Sequence, residues 1–267
     1  MRWVRDFAIL ITIFGGIWLI FTYFPIIPDK EYFKVPIETE KKIGDAIFEY
    51  QIENNSDFEI VEDPKLDSMI HLITSRLITS LDNPLFQYQF YIVSSEEVNA
   101  FTIPGGRIFI YAGLIETAES AEEVASVLAH EIGHAEERHV MNKLAKEIGL
   151  SVLLSDDSFV LGQVSKTLGS SKFDRIQERK ADEFALELLE NSLIDPRHFG
   201  SFMMKMKEKE QFDSDMMEIV NTHPATDRRI KHAMNYELDS EFKEEPIAID
   251  WDEMLLTLSS VTASNSL

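Results

Sequence analysis

Residues 7–28 form 22 consecutive positions without a charge, rich in Ile, Leu, Phe and Trp. A helix of that length rises about 33 Å, enough to cross a hydrocarbon core of about 30 Å. Arg2 and Arg5 precede it, which predicts a cytoplasmic N-terminus and an exported remainder. Trp3, Trp18, Tyr23 and Phe24 stand near the two ends, where aromatic rings favour the interface. A cleaved signal peptide is the competing reading. The apolar run is longer than a usual signal core, and no small-x-small site follows it. Residues 1–30 are therefore expected to be an uncleaved membrane anchor. That makes the protein single-pass, with its bulk extracytoplasmic, or periplasmic in a Gram-negative bacterium.

After this block the pattern turns amphipathic. Helical periodicity runs over residues 37–54 and 64–81, the second opened by Asp63 as N-cap and Pro64 at the first helical position. Asp82, Asn83 and Pro84 break the chain. Residues 86–93 alternate as a strand, and 99–103 and 107–111 read as two more around Pro104-Gly105-Gly106. From there the signal is helical over 120–148, 172–193, 196–210 and 226–236. Residues 241–267, with the acidic run 241–245 and a Ser/Thr-rich end, read as a loosely ordered acidic tail. The expected architecture is α+β: a mainly helical domain over residues 31–240 with a small β-sheet, behind one transmembrane helix.

The net charge of −22 and the lack of a basic stripe argue against a nucleic-acid partner. No cysteine is present, so disulfides, thiolate ligands and a cysteine nucleophile are excluded. Any metal must be held by His, Asp or Glu.

The residues best suited to that are 130–134, His-Glu-Ile-Gly-His, inside a helical stretch. Positions i and i+4 differ by about 40° around the axis, so His130 and His134 share one face. That geometry places two imidazole nitrogens on one zinc ion. Glu131, beside the first ligand, is placed to act as general base toward a water there. Gly133 leaves room for a close backbone approach. The preceding residues 124–129, Val-Ala-Ser-Val-Leu-Ala, are apolar, so the motif starts from a buried helix. Buried histidines beside a buried glutamate need a partner such as a metal. A catalytic zinc also needs a third protein ligand. Glu178 and Asp182 stand four apart on a second helix, where Glu178 can ligate and Asp182 can orient a ligating histidine. The spacing alone fits a solvated charged face equally well.

The pair His130-Glu-Ile-Gly-His134 and Glu178-Arg-Lys-Ala-Asp182 resembles the HExxH…ExxAD signature of one gluzincin metallopeptidase family. Its members include the CAAX prenyl protease, HtpX, and Oma-type and BepA-like peptidases. Asn99-Ala-Phe-Thr-Ile-Pro-Gly-Gly106 is similar to the family's turn before the active-site helix. Arg138-His139 continues a frequent form of its motif, and residues 222–230 are similar to its late HPxxxxRI segment. The resemblance spans about residues 95–235. It implies a zinc endopeptidase with one Zn²⁺ per chain, held by His130, His134 and Glu178, acting on protein or peptide substrates.

Further roles follow from the same resemblance. Arg107–Tyr111 is similar to the family's edge strand above the metal, which makes Arg107, Ile108, Phe109 and Ile110 expected substrate contacts through main-chain pairing. Asn99 is expected to help hold the scissile carbonyl, or simply to form the turn. His223 is either a proton donor to the oxyanion or a fourth ligand that silences the site. Arg229 either stabilises the oxyanion or pairs with an acid. His139, five residues past His134, is expected to point away from the ligand face. No second membrane span is predicted, and no tetratricopeptide domain is expected after the late motif. Residues 149–171 form a long link between the metal-binding helices and are expected to act as a lid or to lie near the membrane. The competing function is a membrane-tethered module that captures extended segments without cutting them.

Overall fold

The computed structural model describes residues 35–55, 58–149, 153, 160–164, 172–210 and 218–265. Helices α1 (Ile37–Asn54) and α2 (Pro64–Thr79) come first. Asp63 caps α2 by accepting from Lys65 N and Leu66 N, both at 3.0 Å. Pro64 follows at the first turn, where no N–H is needed. Three strands follow: β1 (Gln89–Val93), β2 (Ala100–Ile103) and β3 (Arg107–Tyr111). Their order is β1-β3-β2, with β1 parallel and β2 antiparallel to β3.

This order corrects one expectation. Arg107–Tyr111 is the central strand, not an edge. Gly105 and Gly106, at φ +88° and +84°, close the hairpin that pairs β2 with one side of β3, and β1 takes the other side. The main-chain edges of Arg107, Ile108, Phe109 and Ile110 are therefore both used. The last three are also fully buried. Arg107 holds Asp45 of α1 at 2.6 Å.

One face of the sheet carries an aromatic cluster in which Phe109 meets Phe48, Phe58 and Phe101 at centroid distances of 6.1, 4.8 and 5.1 Å. Ile108 and Ile110, which point to the other face by alternation, belong to the main core with Val124, Leu128 and Ile132. Those three lie on α4 (Ala121–Glu136), which follows the short α3 (Ala112–Thr117). Of the three strands, β2 packs most closely on α4.

The predicted helix over 120–148 is not continuous. It stops at Glu136, Arg138 takes the left-handed region at φ +54°, and α5 (His139–Leu144) starts in a new direction before a π turn at Ala145–Gly149. A left-handed arginine is costly, and here Glu40 holds it with contacts of 2.6 Å to Nε and 2.5 Å to Nη2.

The remaining helices are α6 (Arg175–Asn191), α7 (Arg197–Glu210), α8 (Glu218–Thr222), α9 (Asp227–Met234) and α10 (Trp251–Asn265). A capping box between Asp174 and Gln177 starts α6. Helix α10 corrects the loosely ordered tail expected over 241–267. Met254 and Leu258 are fully buried in the main core, with Trp251, Leu255 and Val261 packed against it. Asp250 caps the first turn by accepting from Glu253 N at 3.0 Å. From Pro36 the chain clusters as one compact unit that includes this helix. The expected anchor over residues 1–30 and most of the link 149–171 lie outside the described residues. Among the described residues no helix is long and apolar enough to cross a membrane.

Candidate metal centre

Ser120 starts α4 by accepting from Glu123 N at 3.3 Å, and the helix then runs almost wholly inside the core. His130, Glu131 and His134 are 3%, 1% and 0% exposed. One turn apart on one face, the two histidines bring their Nε2 atoms within 3.1 Å of each other. The second helix crosses beside Gly133. A Cβ built there would lie 2.9 Å from Ala181 O and 3.2 Å from Ala181 Cα. Glycine on α4 and a small residue on α6 thus set the distance at which Glu178 meets the histidines. Its Oε1 lies 3.4 Å from His134 Nε2.

The third arm is His223, just past α8, whose N–H donates to Ile219 O at 2.8 Å. Its Nδ1 lies 2.9 Å from Glu178 Oε1 and 3.2 Å from His130 Nε2. His130, His134, Glu178 and His223 each offer one ligand atom, and the four lie within 4.8 Å of one another. A tetrahedron with metal–ligand bonds of about 2.0–2.1 Å has edges of about 3.3–3.4 Å. Four of the separations within this set, 2.9 to 3.4 Å, are close to such edges. Imidazole nitrogens and a carboxylate oxygen crowded this closely in a buried pocket need a proton or a cation between them. Two or three imidazoles with one carboxylate suit zinc. The residues therefore fit the metal that the sequence implies.

The outer nitrogens and oxygens are also placed. His130 Nδ1 lies 3.1 Å from Asp182 Oδ1, at ion-pair distance though poorly aligned as a hydrogen bond. His134 Nδ1 lies 3.1 Å from His139 Nδ1, which corrects the expectation that His139 points away. The break at Arg138 turns α5 back so that this buried imidazole supports the ligand. A metal on Nε2 leaves His134 to donate from Nδ1, and burial lowers the His139 pKa to about 4, so its ring is neutral and able to accept.

Arg229 resolves to the second of its two expected roles. Its Nε and Nη2 hold Asp182 at 2.8 and 2.7 Å, and Nη1 reaches Glu178 Oε2 at 2.6 Å and Pro224 O at 3.0 Å. The guanidinium is thus committed to both carboxylates beside the ligand cluster. Burial pushes the Glu178 carboxyl up, but His223, His134 and Arg229 together hold it well below the usual carboxylate range. Burial keeps His134 neutral.

Glu131 faces a different space. Burial raises its carboxyl pKa, while His223 and His130 oppose this and the Thr102 main-chain N–H donates to it. Its Oε1 has no hydrogen-bond partner among the described residues, and neither has Asn99 Oδ1. Both residues line one cavity of about 20 Å³, together with Thr102 and His223. That is room for a single water with polar neighbours.

Two residues at this site carry no sequence signal that would have found them. Phe173 lies over the cluster, its ring centroid 4.0 Å from that of His134 and 5.3 Å from that of His223. Lys143 stands 4.4 Å over the same phenyl ring.

Residues 64–237 match the model of peptidase family M48. A beta-barrel assembly-enhancing protease of Yersinia pestis is 28% identical over 216 residues, covering 74% of this chain and 44% of its own. The mitochondrial metalloendopeptidase OMA1 of Schizosaccharomyces pombe is 24% identical over 230 residues, covering 84% and 68%. Its Arabidopsis thaliana counterpart is 31% identical over 173 residues, covering 62% and 34%. The chain thus spans less than half the length of the Yersinia relative. The family match, by contrast, extends over well more than half of the 267 residues and holds the whole ligand cluster with Glu131, Asp182 and Arg229: the chain belongs to peptidase family M48.

Proposed function

We propose that the chain is a zinc-dependent endopeptidase, tethered through residues 7–28, that cleaves unfolded or misassembled proteins on the extracytoplasmic side of a membrane. The observation that carries this reading is Glu131: a buried carboxylate whose Oε1 has no hydrogen-bond partner among the described residues and lies 3.7 Å from His223 Nε2, beside convergent donors and a water-sized cavity. A zinc ion held by His130, His134 and Glu178 supplies Lewis acidity toward a peptide carbonyl and acidifies a neighbouring water. Glu131 takes the proton of the attacking water on Oε1 and passes it to the leaving amine nitrogen. Its raised pKa suits it to hold that proton between the two steps. Substrate main chain pairs with the outer edge of β2, which lies next to Glu131 through Thr102, and Asn99 holds the scissile carbonyl. The expected edge-strand role passes from β3 to β2. The assembly-enhancing activity in the name of the Yersinia relative supports misassembled clients, and the net charge of −22 supports a partner other than nucleic acid.

A specific observation favours a latent resting state. His223 Nδ1 stands among the ligand atoms, where it takes the position that a substrate-activating water needs. Glu131→Gln is expected to retain zinc and lose casein cleavage by about 10²–10⁴-fold. Cleavage at the wild-type rate would remove the peptidase mechanism. His223→Ala is expected to raise turnover. A fall would instead make His223 a transition-state donor and end the latent reading.

A further inference from the structure

On the side of the sheet opposite β2 lies a groove of about 860 Å³. The outer edge of β1 forms its floor. Phe48 and Ile52 of α1 form one wall, and Ile70 and Thr74 of α2 form the other. The β1 edge is separated from β2 by the width of the sheet, about 10 Å at 4.7–4.9 Å per strand, and the metal ligands lie on helices outside the sheet. The edge is already used in part. Val61 N donates to Ile92 O at 2.9 Å, and Ser94 N donates to Glu59 O at 2.8 Å. These bonds mark even-numbered residues as the outward-facing ones, while Gln89 N turns inward to Gly106 O. After Val61 the chain leaves the edge and enters the Asp63 cap. Among the described residues no partner remains for the N–H groups of Phe90 and Ile92 or for the carbonyl of Phe90.

Main-chain groups open to pairing specify an extended polypeptide. The apolar walls specify side chains of the same character at alternate positions. Where residues 59–61 leave the edge, Glu62, Asp63 and Asp67 line the groove. Among the described residues none of the three has a basic partner within 4.0 Å, the nearby Lys65 being paired with Glu253 at 2.6 Å. Burial, and repulsion from Asp63 and Glu62, push the Asp67 carboxyl up. That end of the groove therefore favours a cation.

We propose that this groove captures an extended segment of a client polypeptide as a fourth strand on β1, with apolar side chains between α1 and α2 and a Lys or Arg at the Glu62–Asp67 end. The capture does not depend on cleavage and is separate from the β2 edge.

The test uses the full chain in detergent, carrying Glu131→Gln so that no probe is cut. The probe is a fluorescein-labelled decapeptide of alternating Val and Thr that ends in Lys-Arg. The expected result is saturable binding, with hydrogen exchange slowed at the amides of Phe90 and Ile92. Glu62→Lys with Asp67→Lys, or a probe ending in Glu-Glu, is expected to weaken binding by about tenfold or more. A probe with prolines at its pairing positions is expected to bind no better. Unchanged exchange at Phe90 and Ile92, or equal affinity for all three, would overturn the proposal. So would amides already protected without the probe, which would place another part of the chain, or a second copy, in the groove. If casein cleavage fails both for the unsubstituted chain and for His223→Ala but this binding holds, the groove stands and the peptidase reading, on which it does not depend, falls.

Discussion

Arg229 shows how much one side chain can organise. It spends its guanidinium on Asp182, which faces His130, and on Glu178, which faces the metal position. The planar fork of donors allows this, and an ammonium cannot reproduce it. Arg229→Lys keeps the charge but loses the two-oxygen grip, so zinc affinity is expected to fall by about 10–100-fold. Competition with a chromogenic chelator measures this, and unchanged affinity would deny the positioning role. Glu40 presents the opposite case. Burial raises its carboxyl pKa, and the nearby Arg138 offsets that only in part. A carboxyl raised in the folded state binds more protons there than in the unfolded chain. Its contribution to stability is thus full below the ordinary glutamate value of 4.5 and is lost as pH rises through the folded value. Glu40→Gln is expected to flatten the fall in melting temperature that begins near that pH. Melting curves across the acid range will show whether the slope persists, which would exclude Glu40 as its source.

At the scale of elements, the site depends on two helices that touch backbone to backbone. The Cβ introduced by Gly133→Ala would press on Ala181 O at 2.9 Å, a main-chain atom that cannot swing aside. Overpacking of this kind costs about 1–3 kcal/mol. Because the two helices carry ligands on either side of the contact, zinc affinity is expected to fall together with the melting temperature. A stable variant with intact zinc binding would mean the helices approach for another reason. Both helices were legible in the sequence. Apolar periodicity and the i, i+4 spacings place the start of α4 and both ends of α6 to within a few residues, whereas the end of α4 at Glu136 falls inside the helix expected over 120–148. The Gly-Gly hairpin was legible too. The central position of β3 was not, because it depends on pairing with β1, which local pattern does not encode. Nor was the turn at Arg138, since arginine has no preference for a left-handed backbone and the contact with Glu40 that holds it is distant in sequence. The stripe of Trp251, Met254, Leu258 and Val261 was present in α10, but the acidic run before it and the Ser/Thr-rich end obscured it.

For the whole molecule, the metal centre is a cross-link. Its donors come from α4, α6 and the segment after α8, and all are buried. Binding restricted to the folded state stabilises it by RT ln(1 + [Zn]/Kd), about 4 kcal/mol at a thousandfold excess over Kd. Chelation is expected to lower the melting temperature by several degrees while helical circular dichroism persists, since the main apolar core does not pass through the metal. A melting temperature indifferent to chelator would mean that the donors bind no ion in the folded protein.

The ligand set also has an order in time. His130 and His134 precede Glu178 by more than 40 positions, and His223 and Arg229 follow about as far behind again. A ribosome delivers these residues from the N-terminus onward. A nascent chain that has already exposed both histidines still lacks the carboxylate, and later still the arginine that aims it. Competence therefore comes only once synthesis has passed Arg229, and a copy made only as far as Glu178 has no assembled centre with which to cut its neighbours or itself.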